Sequence, residues 1–74
     1  MSSTITRAIA LERLSDGREV YVGYGRYLGI VSQADTMSEA YAQLLEMEAD
    51  LERDCAAAGV TPQERGAADW FTLA

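Results

Sequence analysis

Gly29-Ile30-Val31-Ser32-Gln33-Ala34-Asp35-Thr36-Met37-Ser38-Glu39-Ala40 is the stretch that decides the fold, because it reads as the last strand of a sheet running directly into a helix. Ile30 to Gln33 makes a short strand. Thr36 stands where an N-cap belongs and Glu39 follows three residues later, the spacing of a capping box in which each side chain satisfies a free backbone N–H of the first turn. Behind the cap, Met37, Ala40, Tyr41, Leu44, Leu45, Met47, Leu51, Cys55 and Ala58 keep the i, i+3, i+4 spacing of a helix with one apolar side. Gly59 and Pro62 mark its end, so the helix is expected over 37–58.

Working upstream, Ser15-Asp16-Gly17 is a turn signal followed by the β-rich run Val20-Tyr21-Val22-Gly23-Tyr24. The preceding segment, Thr4 to Leu14, tolerates either strand or helix, and the turn decides for a hairpin strand. Strict alternation places Val20, Val22, Tyr24 and Leu28 on one face, with Tyr21 and Tyr27 on the other. Gly23, Gly25 and Gly29 within this region suggest a bulge, a bend or a close approach of another backbone.

The expected fold is therefore α+β: a three- or four-stranded antiparallel sheet packed against one long acidic helix, in the order β-β-β-α. The 74 residues form a single domain, with the hairpin and third strand in 5–34, the helix in 37–58 and a C-terminal segment in 60–74. Asp69-Trp70-Phe71-Thr72-Leu73 in that segment is too apolar for an idle tail. It reads either as a fourth strand or as a segment docking on a second subunit, with Trp70 and Phe71 as core caps or dimer anchors. A core this small gains from a partner or a second copy, so a homodimer is expected.

Composition excludes much chemistry. All six basic residues are arginine, and lysine, histidine and asparagine are absent. No imidazole base, Ser-His or Cys-His pair, ordinary zinc site, Schiff base or phosphate-binding lysine can be assembled. A metal site would need carboxylates alone, and no spaced Asp loop of the calcium type is present. No enzyme, cofactor or metal is expected. The single cysteine, Cys55, falls on the apolar side of the helix and reads as a small buried hydrophobe. Met1 to Glu12 lacks the apolar core of a signal peptide, and no run approaches the roughly 20 apolar residues that span a bilayer. A cytoplasmic location without membrane contact is the expectation.

The net charge of −6 argues against direct nucleic-acid binding. Its distribution is more informative, since residues 37–58 carry six acids against Arg53 while residues 1–36 balance. Glu39, Gln43, Glu46, Asp50 and Asp54 fall on the side of the helix away from its apolar stripe. They are either a solvated face or an electrostatic surface for a basic partner. Tyr24, Arg26 and Tyr27, beside Tyr21, are likewise either ordinary strand neighbours or contact residues of the types favoured at interfaces.

Gly29, Val31, Ser32, Gln33, Asp35, Thr36, Glu39 and Ala40 together resemble the strand-to-helix motif of HicB-type antitoxins, and the Asp16-Gly17 hairpin is similar in placement. The resemblance covers about residues 5 to 58. It is to the small partial RNase H-like domain of that family, without the DNA-binding domain that many relatives carry. Gly25-Arg26-Tyr27-Leu28 replaces the family's Pro-Asp-x-Pro loop, and Ala34 replaces a glycine. The resemblance implies a non-catalytic protein that covers a small basic RNA-cleaving toxin. From the charge stripe and the Tyr/Arg group, the partner-binding residues of this chain are expected to be Glu39, Glu46, Asp50, Asp54, Tyr24, Arg26 and Tyr27, and the partner a basic protein, either a toxin nuclease or a nucleic-acid-binding defence effector. The alternative is a phage or mobile-element inhibitor of a host defence complex, an anti-CRISPR-like nucleic-acid mimic.

Overall fold

The computed structural model describes residues 7–66. Strands β1 (Ala8–Arg13), β2 (Glu19–Tyr24) and β3 (Val31–Ala34) precede a single helix, α1 (Met37–Ala58). The sheet is antiparallel in the order β1-β2-β3, and α1 packs on one face of it. This is the β-β-β-α, α+β architecture expected from the sequence, and the helix bounds coincide with the expected 37–58. Strand bounds moved: β1 begins at Ala8 and stops before Leu14, and β3 is shifted by one residue to Val31–Ala34. Thr4 to Thr6 lie outside the described residues.

Local chemistry explains each junction. In the hairpin, the Leu14 N–H donates to the Arg18 carbonyl (2.7 Å), and the Asp16 carboxylate accepts from the Arg18 N–H (2.9 Å), so the aspartate side chain closes the turn on its own backbone. At the helix start Thr36 Oγ1 accepts from the Glu39 N–H at 3.1 Å. Only this half of the capping box forms, since the Glu39 carboxylate returns no hydrogen bond to Thr36 among the described residues. At the other end Gly59 adopts a left-handed φ of 73°. Its N–H and that of Val60 donate to the Ala56 and Cys55 carbonyls, the paired arrangement that terminates many helices.

Two glycines set the distance between layers. A Cβ at Gly23 would lie 2.6 Å from Ser32 Oγ and 2.8 Å from Leu44 Cδ1, so only the bare backbone lets α1 settle this closely on β2. Gly25 does the same beside Ile30 and Glu48. Thus the glycine-rich stretch is a site of close approach rather than a bulge: β2 pairs residue for residue with both neighbours. Ser32, buried on β3, donates from Oγ to the Ala40 carbonyl at 2.8 Å and ties strand to helix.

Under α1 the core is Tyr27, Ile30 and the fully buried Ala40 and Leu44, with Met47 and Leu51 against them, and Val20 and Val22 of β2 are buried as well. Alternation from Gly23 places Val20, Val22 and Tyr24 on the face opposite α1, sharing a face as expected. Leu28 does not join them. It sits after β2 has ended, in the turn closed by the Ile30 N–H on the Tyr27 carbonyl, and is exposed. The apolar stripe of α1 is also wider than the surface it covers: Met37, Tyr41 and Leu45 are exposed, and Cys55 is half-buried rather than buried.

Candidate protein interface

The surface that α1 offers depends on how the helix is fixed, and a charged residue fixes it. Glu48 stands four residues after Leu44 and three before Leu51, in the inward-facing register, and is 3% exposed. Its carboxylate accepts from Arg7 Nε at 3.1 and 3.0 Å, from Arg7 Nη2, and from the Arg26 backbone N–H at 2.8 Å. Burial pushes this carboxyl up. The Arg7 hydrogen bonds, the Arg26 N–H and the two positive charges outweigh burial and hold it below the ordinary glutamate value. Arg7 is raised by the same contact and also lies over the Tyr41 ring, 5.8 Å from its centroid. A carboxylate from α1 therefore clasps the residue before β1 and the turn after β2.

A second clasp comes from beyond the helix. Tyr27 and Glu64 form an antiparallel bridge, flanked by the Leu28 N–H donating to the Gln63 carbonyl (3.0 Å) and the Arg65 N–H donating to the Arg26 carbonyl (2.8 Å). Arg65 then spreads its guanidinium over the carbonyls of Gly25 (2.9 Å), Ile30 (3.2 Å) and Tyr27 (3.4 Å), with Tyr24 beneath it at 5.9 Å. Residues 63–65 thus pair as a one-bridge strand, earlier in the chain than the Asp69 to Leu73 segment favoured by composition. Asp69, Trp70 and Phe71 lie outside the described residues.

The acidic stripe is exposed throughout. Glu39, Glu46, Asp50 and Asp54 point to solvent with Gln43 among them, and Asp50 alone in this set has an ion pair among the described residues, with Arg53 at 2.8 Å. Such an exposed pair contributes little. The three candidate contact residues outside the helix separate. Tyr24 is half-buried with its hydroxyl donating to Glu12 (3.2 Å), and burial followed by the Glu12 carboxylate raises its pKa. Arg26 is exposed and pairs with Glu64 at 2.9 Å. Tyr27 is 5% exposed, its ring in the core, because the turn that carries it folds under α1; it is not placed to meet a partner.

Sequence periodicity passed over Glu48, Arg7 and Arg65. For Glu48 a signal existed, since an acid in the register of Ala40, Leu44 and Leu51 has to find a cation. For the arginines there was none, because their contacts join segments 41 and 40 residues apart. Among the described residues no group of three His, Cys, Asp or Glu side chains could hold a metal ion, and no helix is long and apolar enough to cross a membrane. Compared with family models, curated proteins and solved structures, the chain matches none of them.

Proposed function

We propose that this chain is a non-catalytic, cytoplasmic protein-binding module of the HicB antitoxin kind, which inhibits a basic, nucleic-acid-acting protein by covering it with the acidic side of α1. The supporting observation is the exposed line of Glu39, Glu46, Asp50 and Asp54 on a helix that Glu48 and Thr36 hold in a fixed pose. Exposed like charges on one rigid element give fast, salt-sensitive encounter with a surface of opposite sign. Successive acids at 46, 50 and 54 advance by about 6 Å along the axis, which also gives a nucleic-acid mimic a regular run of negative charge. That regularity is what favours the second reading, a phage or mobile-element inhibitor seated in the nucleic-acid channel of a defence complex.

Capture from the native host at low and high salt, with partners identified by mass spectrometry, tests the proposal. The expected result is one basic partner retained at low salt and released at high salt. The triple change Glu46→Lys, Asp50→Lys, Asp54→Lys should abolish that capture and leave the melting temperature nearly unchanged, because the three side chains are solvated. Retention by the triple variant would show that the stripe is only a solvated face. A neighbouring gene for a small basic toxin favours the antitoxin reading; its absence favours the counter-defence reading.

A further inference from the structure

The side of α1 opposite the acids has its own character. Arg7, immediately before β1, lies over Tyr41, so the Tyr41 flank is the β1 side of the helix. At about 100° per residue Leu45 shares that flank, while Glu39, Glu46, Asp50 and Asp54 fall on the other. Tyr41 and Leu45 are each 42% exposed. Leu11 is 55% exposed and belongs to the face of β1 that looks toward the helix, because it pairs with Tyr21, two residues before Gly23.

Below these side chains runs the outer edge of β1. It is unpaired among the described residues, six residues long, and regular, matching β2 one for one from Ala8 to Arg13. It has no proline or bulge, and its charged side chains, Glu12 and Arg13, sit together at one end, leaving Ala8 to Leu11 an uncharged edge. The other edge, β3, is four residues long and ends at the helix cap.

We infer that β1 pairs with β1 of a second copy across a two-fold axis perpendicular to the sheet, centred on Ala10, to give a continuous six-stranded sheet. Charge favours this occupant. A two-fold mates a face with itself, which in a protein of net charge −6 favours the face with the least excess acid. On the β1 side Arg7 and Arg13 are held by Glu48 and Glu19, which leaves Glu12, bonded to the Tyr24 hydroxyl, and Glu52, against Glu39, Glu46, Asp50 and Asp54 with Arg53 on the other side. Pairing around Ala10 sets Ile9 against Leu11 and Ala8 against Glu12. Both helices then lie on the same face of the joined sheet, with Leu11, Tyr41 and Leu45 of each copy turned toward the seam and the two acidic stripes on the outside. This arrangement does not depend on what the stripes bind.

Sedimentation equilibrium of the full chain should give twice the 8.1 kDa chain mass, and Leu11→Lys should return it to the monomer with unchanged far-UV circular dichroism. In a Cys55→Ser background, Ala10→Cys should cross-link between chains on mild oxidation, because directly opposed residues of an antiparallel pair stand at about 4.5–5.5 Å between Cα atoms, within disulfide reach. Gln33→Cys on β3 in the same background should not. A wild-type chain that stays monomeric at every concentration overturns the inference and leaves β1 to a different protein or to the chain's own tail. A dimer that cross-links through Gln33→Cys and not Ala10→Cys overturns it equally.

Discussion

At the scale of one residue, Glu48 shows how a charge can be a structural part. It is buried, and its oxygens are occupied by Arg7 and the Arg26 N–H. Replacing the carboxylate in Glu48→Gln leaves Arg7 without its counter-charge. Removing one member of a buried pair is expensive, but Arg7 keeps a quarter of its side chain in water, so the expected loss is about 2 kcal/mol in urea unfolding at neutral pH. The pH dependence has a definite sign. A carboxyl held below its unfolded value stabilises the fold above that value, about 4.3 for glutamate, and the contribution disappears as pH falls through the folded pKa. Wild type and Glu48→Gln should therefore differ fully at neutral pH and converge in acid. A constant difference across that range would mean that shape, not charge, is what the substitution disturbs. The burial of position 48 was legible in the sequence, from its spacing to Leu44 and Leu51. The identity of its cation was not, because periodicity within one helix is silent about a residue before β1.

At the scale of the element, the helix was the most legible feature because its punctuation is local: Thr36 and Gly59 act on backbone groups within a few residues. Strand ends were less so, since what stops β1 at Arg13 is the closure of a turn by Leu14 and Arg18. Which flank of the helix stays bare was not legible at all. A run of apolar positions states a direction of packing, whereas Tyr41 and Leu45 are uncovered because α1 settles over Gly23 and Ser32, on β2 and β3. The half-formed capping box makes a differential prediction. Thr36→Ala removes the acceptor of the Glu39 N–H and should cost about 1 kcal/mol. Glu39→Gln loses only a favourable charge near the helix start, about 0.3–0.5 kcal/mol at low salt and less at high salt. Because glutamine can also make the reciprocal bond, a Glu39→Ala loss well above that of Glu39→Gln and equal to that of Thr36→Ala in thermal unfolding would indicate that the bond forms in solution.

Across the whole molecule, the segments at both ends of the described chain converge on residues 25–30, the connection between β2 and β3. Arg7 reaches it through Glu48, which receives the Arg26 N–H; Arg65 reaches it from the other side, at the carbonyls of Gly25, Tyr27 and Ile30. Backbone bonds hold that connection at the Tyr27–Glu64 bridge and its flanks and between Gly25, Tyr27 and Ile30, and the two arginines add side-chain contacts to this frame. It also carries two core residues, Tyr27 and Ile30, which links the clasps to the seating of α1 and hence to the pose of both helix flanks. Two clasps on one short connection should be coupled. Once Arg65→Ala has loosened it, the Arg26 N–H is no longer held toward Glu48, and removing the Glu48 charge should then cost less than it does in the wild type. A double-mutant cycle on Arg65→Ala and Glu48→Gln should accordingly show a coupling of about 0.5–2 kcal/mol in urea unfolding, the double variant being more stable than the sum of the single losses. Losses that add to within about 0.3 kcal/mol, the behaviour of distant independent sites, would mean that each arginine secures its own neighbourhood and that the connection is rigid without them.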